Sequence, residues 1–191
     1  MGATSDMFTG PWRSLEETQF LNWPRQNAPE TLPSLAQHLI EANSILTGDS
    51  LIGTSLGGMV ACEIANQIQL KTLVLIGSAT NNSEVNPMLN LPPSLIDLAP
   101  LDMFIKVAGK MDSHLAEMFA QSDPAFIRNM SKSIFSWQGL RAGVKAYRIH
   151  GLHDHVIPIP AKVDYEIDGG HLIAMTHAES CVAAVRQWLN Q

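Results

Sequence analysis

The pentapeptide Gly53-Thr54-Ser55-Leu56-Gly57 fits the pattern G-x-S-x-G. A short apolar run, 50–53, leads into it, and an apolar helical pattern (Met59, Val60, Cys62, Ile64, Ala65) leads out. In that context the pattern makes a sharp strand-to-helix turn that lifts the serine hydroxyl above the edge of a sheet. A serine hydroxyl is a weak nucleophile near neutral pH, so this chemistry requires a base and a group that orients the base. Two downstream segments offer them. His150-Gly151-Leu152-His153-Asp154-His155-Val156-Ile157-Pro158 follows a strand pattern and can hold Asp154 beyond that strand's end, and Gly169-Gly170-His171 follows the next one. Ser55, Asp154 and His171 stand in the chain order nucleophile, acid, base. Ser55 would also sit at a helix N-terminus, where the dipole favours a developing oxyanion.

Other readings of the same residues stay open. Ser55 could merely cap the helix, Asp154 could be a turn residue with Asp164 or Asp168 as the acid, and His171 could be a solvated loop histidine. Asp168 lies close in sequence to His171, and Asp164 falls within a strand pattern. His150, His153, Asp154 and His155 invite a metal-dependent hydrolase. The spacing, however, is H-x-x-H-D-H rather than the zinc-type H-x-H-x-D-H, and a one-residue slip along an extended segment turns a side chain away from a shared ion. His114 and His177 read as surface or helix-flanking residues, and His38 as an exposed helical position.

The elements that must carry these residues follow from composition and periodicity. The 191 residues suit one domain with a sizeable core. Twelve basic against eighteen acidic side chains give a net charge of −6, and the scattered cations form no face for phosphates, which excludes nucleic-acid partners. No apolar run approaches the ~18 residues of a membrane span, and no leader pattern opens the chain. Cys62 and Cys181 read as buried free thiols. The expectation is therefore a cytoplasmic protein with no membrane partner and no cofactor.

Short apolar runs alternate with helical segments, the mark of an α/β fold whose mostly parallel sheet is covered by helices. Strands are expected at 20–23, 50–53, 72–76, 145–150 and 163–167, and helices at 31–42, 57–68 and 178–189. Between 82 and 137 the strand rhythm stops and prolines cluster, so this stretch reads as a helical cap inserted into a single domain 1–191. Asp123-Pro124 starts a helix with Phe126, Ile127, Met130 and Ile134 on one face. Five of the nine methionines (Met88, Met103, Met111, Met118, Met130) fall in this insert. They either line an adaptable apolar pocket or pack between cap helices.

With these motifs the chain resembles the α/β-hydrolase superfamily, and within it small capped bacterial esterase-type members, including those akin to biotin-pathway carboxyl-methylesterases. The residues that carry the resemblance are the turn at Ser55, the strand and Gly-Ser-Ala at 73–79, the cap, His-Gly-Leu-His-Asp with Pro158, and Gly-Gly-His before the last helix. The resemblance implies an acyl-enzyme on Ser55 formed from a small ester or thioester, with His171 as base and acid, Asp154 orienting it, and the Leu56 N–H as one oxyanion donor. Segment 2–8 resembles the loop after the family's third strand, with 9–15 as the following helix. On that register the chain lacks the N-terminal strands, and the second oxyanion donor falls at or before Met1. The competing register uses Thr9-Gly10, but Pro11 then has no N–H to give. The missing strand would leave the elbow strand unpaired unless 20–23 pairs with it or a second copy of the chain, as a homodimer, covers that edge. An incomplete oxyanion site also motivates a non-catalytic relative that binds an acyl or hydrophobic ligand.

Overall fold

The computed structural model describes residues 4–24, 28–87, 92, 94 and 123–190. Among the described residues, four parallel strands stand in the order β1 (Ser50–Thr54), β2 (Thr72–Ile76), β3 (Tyr147–Gly151) and β4 (Tyr165–Ile167). The five consecutive apolar or buried residues of β2 make sense in this frame. Leu73 and Leu75 point to one covering layer, while Val74 and Ile76 point to the other. A strand buried on both faces shows no alternation.

The first layer holds α1 (Leu32–Asn43), α2 (Leu56–Gln67) and α3 (Pro124–Phe135). Thr31 and Ser34 form a reciprocal capping box at the start of α1, and Pro33 lies harmlessly in its first turn. The second layer holds α4 (Ile173–Thr176), α5 (Ala178–Leu189) and Trp12 from a 3₁₀ turn at Gly10–Ser14. The buried Trp12 indole N–H donates to the Ala174 carbonyl at 2.6 Å, which ties the N-terminal segment to the element that follows His171.

The sequence expectation fails at two places near the N-terminus. Residues 20–23 form no strand, and among the described residues β1 is an edge of the sheet. The aromatic side chains of this segment pack into separate layers instead: Phe20 lies 5.6 Å from Phe8, and Trp23 lies 5.6 Å from Phe126. The expected helix at 9–15 is the 3₁₀ turn Gly10–Ser14.

Most of the expected cap, with Met88, Met103, Met111, Met118 and His114, lies outside the described residues. Helix α3 does form, and its Ser133 hydroxyl accepts from the Leu32 N–H at the start of α1 at 2.8 Å. Met130 is fully buried in the core of this layer, so it acts in packing.

Candidate active site

Ser55 sits between β1 and α2 with φ +52° and ψ −124°. That conformation is costly for a residue with a side chain and persists only where the surroundings enforce it. Its N–H donates to the Ile76 carbonyl at the end of β2 (3.1 Å), and its carbonyl accepts from the Ser78 hydroxyl (2.7 Å). The turn is so tight that a Cβ on Gly53 would stand 2.4 Å from the Gly57 carbonyl oxygen. The second motif glycine is different: a Cβ on Gly57 meets nothing within 4 Å, whereas one on Gly58 would lie 2.3 Å from the Ser78 Oγ. The steric demand behind this turn therefore falls on Gly53 and Gly58, not on Gly57 as the pattern suggests.

Two loops bring the partners to Ser55. After β3 the chain turns at Gly151, where Gly169 and Gly170 approach so closely that a Cβ would lie within 2.5 Å of both their carbonyl oxygens. The Leu152 N–H donates to Ile167 and the His153 N–H to Gly169, both at 2.9 Å, which stitches the two loops together. His171 Nε2 lies 2.9 Å from Ser55 Oγ, and His171 Nδ1 lies 2.8 Å from Asp154 Oδ2. The other carboxylate oxygen, Oδ1, accepts from the N–H groups of Val156 and Ile157 at 2.9 Å each. Since a carboxylate only accepts here, the proton on this side of the ring belongs to Nδ1, and Nε2 is free to accept from the hydroxyl.

Asp154 is buried, which by itself would raise its pKa. The His150 and His171 imidazoles and the Ile157 N–H overcome that burial and hold the carboxyl well below the usual carboxylate range. Ser55, Leu56 and His171 all border one cavity of about 670 Å³. Its walls are largely apolar, with Leu39, Ile45 and Ile134 from one layer and Phe8, Trp12 and Phe20 from the other. Leu56 opens α2, so its N–H has no carbonyl of the same helix to bind.

The remaining candidates go elsewhere. Asp164 accepts from the Arg148 N–H at 2.8 Å, and exposed Asp168 lies 3.0 Å from His153; neither reaches His171. The four residues of the metal reading diverge. His150 is buried against the Ile157 carbonyl, His153 and His155 are exposed, and Asp154 faces His171. Among the described residues no group of three or more such side chains converges as a metal would require. Thr9-Gly10-Pro11 does not border the cavity, although Thr4, Met7 and Phe8 do; Met1 lies outside the described residues. Cys62 and Cys181 are free and buried, and burial pushes both thiols up to about 12.

Sequence reasoning missed three supports of the site. Ser78 holds the Ser55 carbonyl. Gly77, at φ +50°, leaves room where a Cβ would come within 3.5 Å of Asp154 Oδ2 and 3.1 Å of the His171 carbonyl. Asn86 clamps the acid loop, its N–H donating to Val156 O (3.1 Å) and its amide to His155 O (2.7 Å). The one available signal for the first two was the Gly-Ser pair directly after the apolar run 73–76.

No protein-family model matches the sequence, and no curated protein matches it either. Solved structures do. A hydrolase from Oleispira antarctica superposes with a TM-score of 0.76 at 14% identity, covering 100% of this chain and 88% of that one. The fold is that of the α/β-hydrolases. A second structure with this α/β-hydrolase fold, a lipase-esterase related protein from Clostridium acetobutylicum, gives 0.72 at 13% identity over 98% of this chain and 90% of that one. An N-acyl homoserine lactonase in complex with N-butanoyl homoserine gives 0.71 at 12% identity, over 98% and 85%. Among the described residues, no helix is long and apolar enough to cross a membrane.

Proposed function

We propose that the protein is a serine hydrolase that cleaves small carboxylic esters or thioesters through an acyl-enzyme on Ser55. The observation that carries this reading is the continuous hydrogen-bonded line from Ser55 Oγ through His171 to Asp154, with Ser55 and His171 bordering an apolar cavity. Ser55 Oγ attacks the carbonyl carbon while His171 Nε2 takes the hydroxyl proton. The carbonyl oxygen becomes an oxyanion beside the Leu56 N–H and the α2 N-terminus; one such donor is worth about 3 kcal/mol of transition-state stabilisation. Asp154 holds the ring by its Nδ1–H and stabilises the imidazolium. The tetrahedral adduct then collapses, and His171 gives its Nε2 proton to the departing alcohol or thiol. Water, deprotonated by the same nitrogen, attacks the acyl-enzyme and releases the acid.

The apolar cavity walls suit the acyl part of such a substrate. The esterase-related and lactonase structures that share this fold point to the same bond type, an ester carbonyl. A panel of p-nitrophenyl esters of rising acyl length tests the proposal. Turnover by the wild type and its abolition in Ser55→Ala are expected; equal turnover by the two proteins would refute it.

A further inference from the structure

The relay uses the His171 imidazole and the Asp154 carboxylate but leaves one buried imidazole, His150, outside it. His150, at the end of β3, is fully buried, and its Nε2 lies 2.7 Å from the Ile157 carbonyl oxygen. A carbonyl only accepts, so Nε2 carries a proton and donates it. The same nitrogen stands 3.5 Å from Asp154 Oδ2, too far for a hydrogen bond but directly beside the carboxylate. Its other ring nitrogen, Nδ1, is buried with no hydrogen-bond partner. An apolar side chain of similar size would fill this space without stranding a polar atom, so packing does not account for an imidazole here. The Nε2–H does.

Ile157 is the residue that matters to Asp154. Its N–H donates to Asp154 Oδ1, and its carbonyl receives the His150 proton, so the turn is tied on both sides of one buried residue. Asn86 grips the outer side of the turn through the His155 and Val156 carbonyls, and His150 grips the inner side.

We propose that His150 is a positioning residue for the reaction: by clamping Ile157 and facing Oδ2, it fixes the Asp154 carboxylate in the orientation that holds the His171 ring. This rests on the serine-hydrolase reading, and three substitutions test it. His150→Gln keeps an N–H donor at about the reach of Nε2, His150→Asn places one only at the reach of Nδ1, and His150→Leu has none. The readouts are kcat and KM on p-nitrophenyl butyrate, the rate of inactivation by a fluorophosphonate, and the downfield proton resonance of the His171 Nδ1–H.

For His150→Leu and His150→Asn, kcat and the inactivation rate fall by roughly 10- to 100-fold, as expected of a small misplacement at a catalytic group, with KM changed by less than about twofold. The Nδ1 proton resonance shifts or broadens in both. His150→Gln stays within about threefold of wild type. Folded His150→Leu with wild-type kcat and an unmoved resonance overturns the proposal, as does His150→Gln as slow as His150→Leu. If His150→Leu does not fold, the pair of amides decides: equal rates in Gln and Asn overturn it. A wild type inert to the fluorophosphonate would sink the serine-hydrolase reading instead, and the resonance would still report whether His150 sets the Asp154 to His171 contact.

Discussion

The second glycine of the G-x-S-x-G pattern should tolerate a side chain, and the glycine after it should not. A Cβ on Gly57 meets nothing within 4 Å, and the residue lies in the first turn of α2, so Gly57→Ala should be neutral or stabilise by up to about 1 kcal/mol through reduced unfolded-state entropy. At Gly58 the new methyl would stand 2.3 Å from the Oγ and 2.5 Å from the Cβ of Ser78, itself buried and bonded to the Ser55 carbonyl. Overpacking of this kind costs about 1–3 kcal/mol. At Gly53 the clash is with backbone, 2.4 Å from the Gly57 oxygen and 2.5 Å from the Gly58 Cα, and backbone cannot rotate out of the way. There the cost should exceed about 3 kcal/mol. In a chain of this size each kcal/mol moves Tm by roughly 2–4 °C, so Gly53→Ala should melt at least about 6 °C below wild type. Thermal and urea unfolding of the three alanine variants provides the ranking. Gly57→Ala as damaging as Gly53→Ala, or Gly58→Ala with an unchanged Tm, would show that the elbow is not built as described.

Asp154→Asn should lower kcat by roughly 10³- to 10⁴-fold with the fold retained, because an amide can present its N–H to Nδ1 and favour the wrong imidazole tautomer; ester turnover measures it. The depressed Asp154 carboxyl stabilises the folded state fully above the ordinary carboxylate range, and this contribution is lost as pH falls through its low folded value. Acid unfolding of wild type should therefore steepen below about pH 4, and Asp154→Asn should flatten that limb; parallel curves would contradict it. Cys62 and Cys181, buried and raised to about 12, should resist a thiol reagent such as DTNB in native buffer and react fully in denaturant. Trp12→Ala should cost about 3–5 kcal/mol in urea unfolding, since it removes a buried indole and its bond to Ala174.

How far the molecule could be read from its sequence depended on whether the signal was local. Strand β2 is legible because burial on both faces leaves the four residues 73–76 without a polar break, and α5 at Ala178–Leu189 because an apolar face repeats at helical spacing. Residues 20–23 look like a strand by composition, yet their aromatic side chains are claimed by both covering layers and no ladder forms. The order of Ser55, Asp154 and His171 is visible in the chain, but the 2.9 Å contact joins residues 116 apart and depends on how two loops dock. Gly77, Ser78 and His150 stand in motifs visible in the chain, but their roles, like that of Gly58, were hidden for another reason. Those roles come from a backbone passing close by or a carbonyl needing a partner, which residue type and spacing do not report.

The most direct test of the account is to incubate the folded protein with a fluorophosphonate and map the adduct by mass spectrometry, with His171→Ala in parallel. One adduct on Ser55 in the wild type, slowed by several orders of magnitude in His171→Ala, is the predicted result. A folded wild type that carries no adduct on Ser55, or one labelled as fast without His171 as with it, would contradict the account.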